Sequence, residues 1–424
     1  MSGRVLITGA GAVCASGMDP PSILASVLEG RSAIGPIKGW DTTGWPADRA
    51  AEVEPFNARA LVDDRKLHKF IRRTDFFGIY AGDRAVAAAG FAAHRATLAE
   101  ADGAHFSDRT GIYVGSGGGA FQNQYDYFPL MTEAQGDLVR FGSDLADVVN
   151  PMWLLRTLPN NVLCHVGIRN GLKGANACIT NHCCGGTLAV VEAAEALRNG
   201  EADRAIAIGH DTPIEPQNVL YYARCGLLAR DMLRPFDVRH DGSVMGEGAA
   251  ALALETEASA AVRGVTPIGE VLGGGAATEA AGLLAIREDG DGVERAVRAA
   301  LADAGLAPRD VGMIVAHGNG TPLSDTSEAA GLARVFGRDL PPVTGLKWCF
   351  GHLVAAAGIM ETVLALFALR ERVVPGIAML DEVDPACAAL PVSARVQEAR
   401  GDVALIVCRG FAGTNSALLV RALG

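Results

Sequence analysis

Short apolar runs alternate with alanine-rich stretches along this 424-residue chain, and no other feature constrains the fold as much. The runs have the length of buried strands, and the stretches between them have the composition of helices. An α/β fold is therefore predicted, with helices covering buried sheets. The predicted strands are Val5–Thr8, Gly111–Gly115, Ala205–Gly209, Ala249–Leu254, Val311–Ala316, Val343–Leu346, Ala404–Cys408 and Ala417–Arg421. The predicted helices are Ser22–Glu29, Ile71–Ala89, Gly186–Asn199, Gly292–Ala304 and Leu353–Leu369.

The length of the chain exceeds the size at which a single hydrophobic core usually stops growing. A break rich in alanine and small polar residues lies near Glu255–Gly264. We therefore expect two tightly joined halves, residues 1–255 and 256–424, although no repeat is visible in the sequence itself.

Composition and charge exclude several classes of protein. With 49% hydrophobic and 20% charged residues, the chain is predicted to be globular throughout. The net charge of -11 argues against nonspecific nucleic-acid binding, which depends on lysine and arginine. The first fifteen residues resemble no secretion signal and no apolar run is long enough to span a bilayer, so we expect a cytoplasmic protein that does not enter a membrane. Nine scattered cysteines without CxxC spacing predict neither disulfides nor a metal site.

Two glycine-rich segments could in principle bind a nucleotide. The first, Val5–Gly11, resembles the opening of a dinucleotide-binding fold, but Cys14 occupies the third glycine position. The second, Gly115–Gly119, lacks the Gly-Lys-Ser/Thr that completes a phosphate loop. We interpret the first as a tight structural turn and the second as a loop where two backbones approach, so no nucleotide cofactor is expected.

A cysteine stands at the predicted start of a helix. Asn181, His182, Cys183 and Cys184 precede a Gly-Gly pair that opens the helix ending near Asn199. Backbone N–H groups at a helix N-terminus favour a thiolate, which is the reactive form of cysteine. The two glycines would also let a substrate approach the backbone closely. A lone cysteine is more often a buried structural residue, and this combination makes a nucleophile the better interpretation.

Polar residues follow three of the later predicted strands, where active sites of α/β sheets commonly lie. His317 follows the first of these strands, Lys347 and His352 follow the second, and Arg409 follows the third. At a helix start, His352 is expected to be neutral and able to donate a hydrogen bond. Lys347 could be a surface charge, or it could form a buried pair with Glu328 that orients the histidines.

These motifs, in this order, resemble those of the β-ketoacyl synthases of fatty-acid and polyketide synthesis. The resemblance covers nearly the whole chain and rests on Val5–Gly11, the Gly-Leu-Lys-Gly turn at Gly171, the Cys183 segment closing at Gly200, Arg234–Asp237, Gly246–Gly248, Ala316–Pro322, Lys347–Gly358 and Gly410–Asn415. It implies a thiolase-like fold, in which two similar βαβαβ halves form a layered α-β-α-β-α core.

The spacing of these motifs in the family singles out one cysteine. The family nucleophile lies twelve residues after the first glycine of the turn and seventeen before the glycine of the closing motif, and counting from Gly171 and from Gly200 gives Cys183 both times. The resemblance further implies that His317 and His352 are the catalytic pair.

The resemblance also assigns supporting roles. Lys347 and Glu328 are implied to form an ion pair beside the histidines. Phe411, which follows Gly410, is implied to be a gate residue whose backbone N–H joins that of Cys183 in an oxyanion hole.

The chain departs from the family pattern close to the predicted nucleophile. The family usually has Thr-Ala where this chain has Asn181 and His182, and phenylalanine where it has Arg409. It usually has glycine where Ala412 stands. His182 and Arg409 therefore place unusual polarity near the thiol and indicate a specialised member of the family.

The implied reaction is a decarboxylative condensation. An acyl chain on Cys183 combines with malonyl-loaded acyl carrier protein to give a 3-oxoacyl product, with no metal or nucleotide. The implied partners are the acyl carrier protein and a second subunit, which is either an identical chain or a chain-length factor. The alternative is that this chain is itself a chain-length-factor-like auxiliary subunit. Such subunits typically lose the nucleophile, so Cys183, His317 and His352 favour the enzyme.

Basic residues concentrate in one short segment of this acidic chain. Arg65–Arg73 contains five of them within nine positions. On a helix, Lys69, Arg72 and Arg73 would share one face as a compact positive patch. Because the family docks its carrier through basic residues at this helix, we expect this patch to bind an acidic carrier protein.

Overall fold

The computed structural model describes residues 3–117, 127–149 and 151–424. Ten strands of the described residues form one mixed sheet: β1 (Val5–Cys14), β2 (Thr110–Ser116), β3 (Asn176–Ile179), β4 (Arg204–Asp211), β5 (Gly248–Thr256), β6 (Gly269–Thr278), β7 (Met313–Val315), β8 (Val343–Thr344), β9 (Val403–Gly410) and β10 (Thr414–Ala422). Two further strand pairs lie outside it, Gly35–Pro36 with Arg49–Ala50 and Val373–Val374 with Gln397–Glu398.

The sheet consists of two halves with the same topology. Its order is β8-β7-β9-β10-β6-β1-β5-β4-β2-β3, so β1-β5-β4-β2-β3 in the first half corresponds to β6-β10-β9-β7-β8 in the second. Each half has the same parallel and antiparallel pairings, and the halves join where β1 pairs with β6. The two similar halves are therefore confirmed, although the duplication is visible only in the strand order.

The α-helices of the described residues are α1 (Pro20–Leu28), α2 (Ala58–Leu61), α3 (Arg73–Ala88), α4 (Phe91–Arg95), α5 (Glu100–Asp108), α6 (Phe128–Ala134), α7 (Leu138–Val148), α8 (Trp153–Thr157), α9 (Asn161–Asn170), α10 (Gly185–Arg198), α11 (Pro216–Arg224), α12 (Glu257–Arg263), α13 (Asp291–Ala304), α14 (Pro322–Phe336), α15 (Lys347–Phe350) and α16 (Ala357–Arg370). Short 3₁₀ turns occur at Leu67–Lys69, His182–Cys184, Pro308–Asp310, Gly337–Asp339, Val354–Ala356, Pro385–Cys387 and Phe411–Gly413. In the part of the chain that is described, no helix is both long and apolar enough to cross a membrane.

The helices pack in layers around the sheet. α10 and α16 contact each other and lie in the centre, where α10 packs on β2 and β4 and α16 packs on β9 and β10. α16 is apolar around almost its whole circumference, as a helix buried on all sides should be. α3 packs on β1, β4 and β5, and α13 packs on β6 and β10. The predicted layered core is therefore confirmed.

Two similar turns lead into the central helices. His182–Cys184 precedes α10, and Val354–Ala356 precedes α16. The first residue of each turn has φ of 45°, a conformation that residues other than glycine seldom adopt. The two turns pack against each other, so the starts of both central helices meet at one place.

The two glycine-rich segments have structural roles. Val5–Gly11 forms part of β1 and not the predicted turn. A Cβ on Gly11 would lie 2.2 Å from the carbonyl oxygen of Ala81 on α3. The glycine is needed because strand and helix backbones touch. A Cβ on Gly115 would likewise lie 2.2 Å from the backbone of Gly185. This bears out the close backbone approach predicted there, while residues 118 and 119 lie outside the described residues.

Candidate active site

Cys183 lies where the first half of the chain meets the second. It belongs to the 3₁₀ turn that leads into α10 and is only 4% exposed. A Cβ on Gly186 would lie 2.5 Å from the carbonyl oxygen of Ala355. Glycine at this position therefore serves the contact between the two turns, and not the approach of a substrate as the sequence suggested.

The Cys183 thiol is protonated in the resting site. Burial raises its pKa well above the ordinary value, and the thiols of Cys408 and Cys184 add to the effect. The prediction that the start of α10 favours the thiolate is therefore wrong for the resting site. A helix dipole usually stabilises a nearby charge by only about 0.3–1 kcal/mol, and the loss of water outweighs it.

His317 and His352 both line the cavity that Cys183 borders, and their rings contact each other. Their ring centroids are 5.2 Å apart, and the Nε2 atom of His352 is 3.4 Å from the Cys183 sulfur. Burial and the Lys347 ammonium lower the pKa of both imidazoles well below the usual value. Both histidines are therefore neutral.

The backbone determines which nitrogen of each imidazole carries the proton. Nδ1 of His317 accepts a hydrogen bond from the backbone N–H of Arg409 at 3.3 Å. Nδ1 of His352 accepts one from the backbone N–H of Val354 at 3.2 Å. A neutral imidazole has a single N–H, so in both residues it must be on Nε2. Both side chains are thus hydrogen-bond donors towards the site.

The peptide groups of His317 are held from both sides by buried charges. Glu328 accepts hydrogen bonds from the backbone N–H groups of His317 at 2.7 Å and Gly318 at 2.9 Å. Lys347 donates to the carbonyl oxygen of His317. Both residues therefore support His317, and they act through its backbone.

The predicted ion pair between Lys347 and Glu328 is not formed. Lys347 instead pairs with Glu361 of α16, at 2.6 Å between Nζ and Oε1, and both side chains are fully buried. Burial opposes the charge on Lys347, but the nearby Glu361 carboxylate outweighs it and raises the pKa of the ammonium. Glu328 is already occupied by the two backbone N–H groups. The sequence held a signal for Glu361, because it is the single acidic residue of an otherwise apolar helix and therefore needs a buried partner.

Breaking this buried pair should cost much of the stability of the protein. Lys347→Met is expected to lower the free energy of unfolding by about 3–5 kcal/mol, because the buried Glu361 carboxyl would lose its partner. Equilibrium unfolding in denaturant measures the change. The double variant Lys347→Met, Glu361→Leu removes both charges and should lose less. If the single variant were as stable as the wild type, the pair would have no structural role.

Arg409 contributes its backbone to the site and has its charge compensated. Its guanidinium is buried and bonds Glu279 at 2.8 Å and Asn415 at 2.9 Å. Its N–H, as described above, orients His317. The unusual charge predicted near the thiol is thus neutralised by Glu279.

His182 and Phe411 form an aromatic cluster over the thiol. Their rings stack at 4.4 Å with 23° between the planes. His182 places Nδ1 at 3.0 Å from the Cys183 sulfur and Nε2 at 2.9 Å from the hydroxyl of Tyr222. Tyr222, from α11, had no motif to reveal it in the sequence. The Phe411–Gly413 turn directly follows Gly410, and its Ala412 has φ of 59°.

Two cavities meet at this cluster. Both are bordered by His182, Tyr222, Val354 and Phe411. One continues past Cys183 to the side chains of His317, Asn319, Thr321 and Ser324. The other continues to Thr74, Asp211, Thr212 and Asn218. Among the residues that the structure describes, no group of histidine, cysteine, aspartate and glutamate side chains is arranged to hold a metal ion.

The predicted docking patch is not a surface patch. Arg72 is 4% exposed, and Arg73 pairs with the buried Glu247. The cause is a shifted helix start: residues 67–69 form a separate 3₁₀ turn and α3 begins at Arg73. Of the three residues only Lys69 is exposed.

The sequence matches a known family over most of its length. Residues 2–260 match the model described as "Beta-ketoacyl synthase, N-terminal domain" and residues 268–381 match "Beta-ketoacyl synthase, C-terminal domain". The chain is 32% identical to Nodulation protein E of Rhizobium sp. (strain N33) over 424 residues, covering 99% of this chain and 100% of the relative. It is 30% identical to 3-oxoacyl-[acyl-carrier-protein] synthase 2 of Staphylococcus aureus (strain N315) over 426 residues, covering 99% of this chain and 98% of the relative.

Solved structures show the same fold. The ishigamide ketosynthase/chain length factor superimposes with a TM-score of 0.87 at 27% identity, and a beta-ketoacyl synthase from Burkholderia phymatum STM815 with a TM-score of 0.87 at 26% identity. Each match covers 100% of both chains. With this fold and these matched domains, the chain belongs to the β-ketoacyl synthase family and is an acyltransferase-type condensing enzyme of fatty-acid or polyketide synthesis.

Proposed function

We propose that Cys183 holds the acyl chain during condensation and that His317 and His352 donate hydrogen bonds to the malonyl thioester. The observation that carries this proposal is the convergence of three side chains from both halves. Nε2 of His352 lies 3.4 Å from the Cys183 sulfur, and the two imidazole rings are 5.2 Å apart.

In the first half-reaction, the Cys183 sulfur attacks the carbonyl carbon of an acyl thioester. The negative charge that develops on the carbonyl oxygen needs two donors, and we assign the backbone N–H groups of Cys183 and Phe411. A Cβ on Gly410 would lie 3.5 Å from the backbone nitrogen of Cys183, so glycine there leaves that nitrogen accessible. The carrier thiol leaves, and the acyl group remains on the sulfur.

In the second half-reaction, a malonyl thioester loses CO₂ and its thioester oxygen gains enolate charge. The Nε2–H groups of His317 and His352 are aimed at that oxygen. Being neutral donors, they stabilise the enolate without protonating it outright. The enolate carbon then attacks the acyl carbonyl on Cys183, and a 3-oxoacyl thioester leaves the sulfur.

Phe411 lies between the two cavities, which supports its role as a gate. We assign the malonyl thioester to the cavity that contains His317, because the enolate forms there. The acyl chain then occupies the other cavity, where Thr74, Asp211 and Asn218 line the wall.

An acyl carrier protein is the proposed donor of both substrates, because the family relative from S. aureus is named for that carrier. Arg65, Lys66 and Lys69 are the exposed basic residues of the segment in which the patch was predicted. They lie shortly before Thr74, which borders the second cavity. We therefore move the docking site from Arg72 and Arg73 to Arg65, Lys66 and Lys69.

Reversing two of these charges should weaken carrier binding. Lys66→Glu with Lys69→Glu is expected to raise the KM for carrier-bound substrate, because exposed charges act mainly on association. The effect should shrink as salt is added. Steady-state kinetics at several salt concentrations measure it. Turnover of a small thioester that needs no carrier should be unchanged.

A control places a single charge reversal at Lys173, which is exposed and precedes β3, for comparison with Lys69→Glu alone. Cys183 follows the other end of that strand, so Lys173→Glu should leave the KM near the wild-type value. Equal increases in KM for both variants would remove the docking assignment.

A second subunit is proposed on the basis of exposed apolar surface. Leu138 is 80%, Val139 85% and Ile168 76% exposed on α7 and α9. Large apolar side chains with this exposure are candidates for burial in an interface. We infer an assembly in the cytoplasm with either an identical chain or a chain-length factor, which light scattering of the purified chain would distinguish by mass.

The proposal is tested by looking for the acyl-enzyme. The chain is incubated with acyl-loaded carrier protein and digested, and the peptide containing Cys183 and Cys184 is fragmented by mass spectrometry. The acyl mass is expected on Cys183, and it should disappear when malonyl-loaded carrier is added. If no acyl group is found on any cysteine, the chain-length-factor-like alternative is favoured.

A further inference from the structure

The resting thiol needs a base, and the paired histidines cannot supply one. Both His317 and His352 carry their single proton on Nε2, because a backbone N–H occupies Nδ1 of each ring. An Nε2–H aimed at the sulfur can donate to it but cannot accept its proton. Another group must remove the proton when Cys183 attacks an acyl thioester.

His182 offers the missing acceptor. Its Nδ1 is 3.0 Å from the Cys183 sulfur, which is closer than Nε2 of His352 at 3.4 Å. Burial lowers the pKa of His182 to about 4, so the ring is neutral at pH 7 and one of its nitrogens has a free lone pair. With the thiol donating to Nδ1, the imidazole proton lies on Nε2 and is donated to the hydroxyl of Tyr222 at 2.9 Å.

The position of His182 is held at some conformational cost. Its φ of 45° lies in the left-handed region, which bulky residues seldom occupy. The ring is fixed on one side by stacking with Phe411 and at its far end by Tyr222.

We propose that His182 is the general base that takes the proton of Cys183 during acyl transfer, an inference that rests on the proposed role of Cys183 as nucleophile. The sulfur forms its bond to the acyl carbon while the S–H proton moves to Nδ1 of His182. The C–S bond to the carrier then breaks, and the same proton passes from Nδ1 to the departing carrier sulfur. His182 ends neutral, and no other reactant is needed.

Tyr222 acts in this scheme as a positioning residue. Its hydroxyl accepts from Nε2 of His182 and so keeps the lone pair of Nδ1 turned towards the sulfur. Burial raises the pKa of Tyr222, so the hydroxyl stays protonated. Tyr222→Phe retains the ring and removes only this contact, and a smaller loss is expected than from replacing His182.

The test compares His182→Ala and His182→Asn with the wild type in single-turnover acyl transfer to Cys183. Asparagine tolerates a positive φ better than most residues, so it preserves the turn but supplies no base. Both variants should transfer the acyl group about 100-fold or more slowly at pH 7. Their rates should rise with pH as the thiol ionises unaided, and added imidazole should partly restore the alanine variant.

A second measurement separates a chemical role from a structural one. Once Cys183 has been acylated by long incubation at high pH, decarboxylation of malonyl-loaded carrier should be slowed far less than acyl transfer in both variants. An equal loss in both half-reactions would mean that His182 only maintains the site, and acyl transfer at the wild-type rate would exclude it as the base. Both of these outcomes leave the acylation of wild-type Cys183 unchanged. Failure of the wild type to accept an acyl group would instead overturn the proposed function.

Discussion

Cys183→Ala is expected to abolish condensation and to leave the fold intact. The substitution removes the sulfur that carries the acyl group, so neither half-reaction can be completed. The structural loss is one small buried atom, which should lower the free energy of unfolding by about 1 kcal/mol. Product formation is measured by mass spectrometry, and stability by thermal unfolding.

The adjacent cysteine provides a matched control for this variant. Cys184 is equally buried, but its sulfur contacts the backbone carbonyls of Cys408 and Thr414 and not a histidine. Cys184→Ala should therefore resemble Cys183→Ala in stability and the wild type in activity. Condensation retained by Cys183→Ala and lost by Cys184→Ala would reverse the assignment of the nucleophile.

His317→Ala and His352→Ala are each expected to slow malonyl decarboxylation by about 100- to 1,000-fold, the usual effect of removing one donor from a developing oxyanion. Acyl transfer to Cys183 should change far less, because the enolate appears only in the second half-reaction. Each half-reaction is followed separately, by acyl-enzyme mass and by release of CO₂. Equal losses in both would contradict this division of roles.

Glutamine and pH provide two checks on the donor role. His→Gln at either position keeps an N–H donor and should retain more decarboxylation than His→Ala. The pKa of both imidazoles lies well below 6.5, so the neutral donors persist as the pH falls through that value. Protonation of these two histidines should therefore cause no loss of decarboxylation near pH 6.5. The contribution of these two histidines to stability should decline below that pH, because the histidines of the unfolded chain gain protons first.

The meeting of His317 and His352 could be predicted because each follows a recognisable buried strand, whereas Cys183 was recognised from the helix that it precedes. Residues that follow parallel strands meet at one edge of a sheet, so their order in the sequence already placed them together. The family spacing then separated Cys183 from Cys184. Both inferences rest on the number of residues between neighbouring motifs or between a strand and the side chain that follows it, and these numbers are small.

The partner of Lys347 could not be predicted in the same way. Glu328 and Glu361 are both buried acids near it, and local sequence does not tell which one a flexible lysine side chain reaches. The burial of Arg72 and the pairing of Arg73 with Glu247 were missed because α3 was expected to begin earlier than it does. A shift of two residues in a helix start changes which side chains face the core.

The equivalent turns at 182–184 and 354–356 bear on how such a site can arise. Both open a central helix, both begin at the same unusual φ, and each belongs to one copy of the same five-stranded unit. Duplication of the gene segment that encodes this unit produces two facing turns before either turn carries a catalytic residue. One copy can then acquire the nucleophile and the other the histidines, a division of labour that makes the two copies inseparable once it is established.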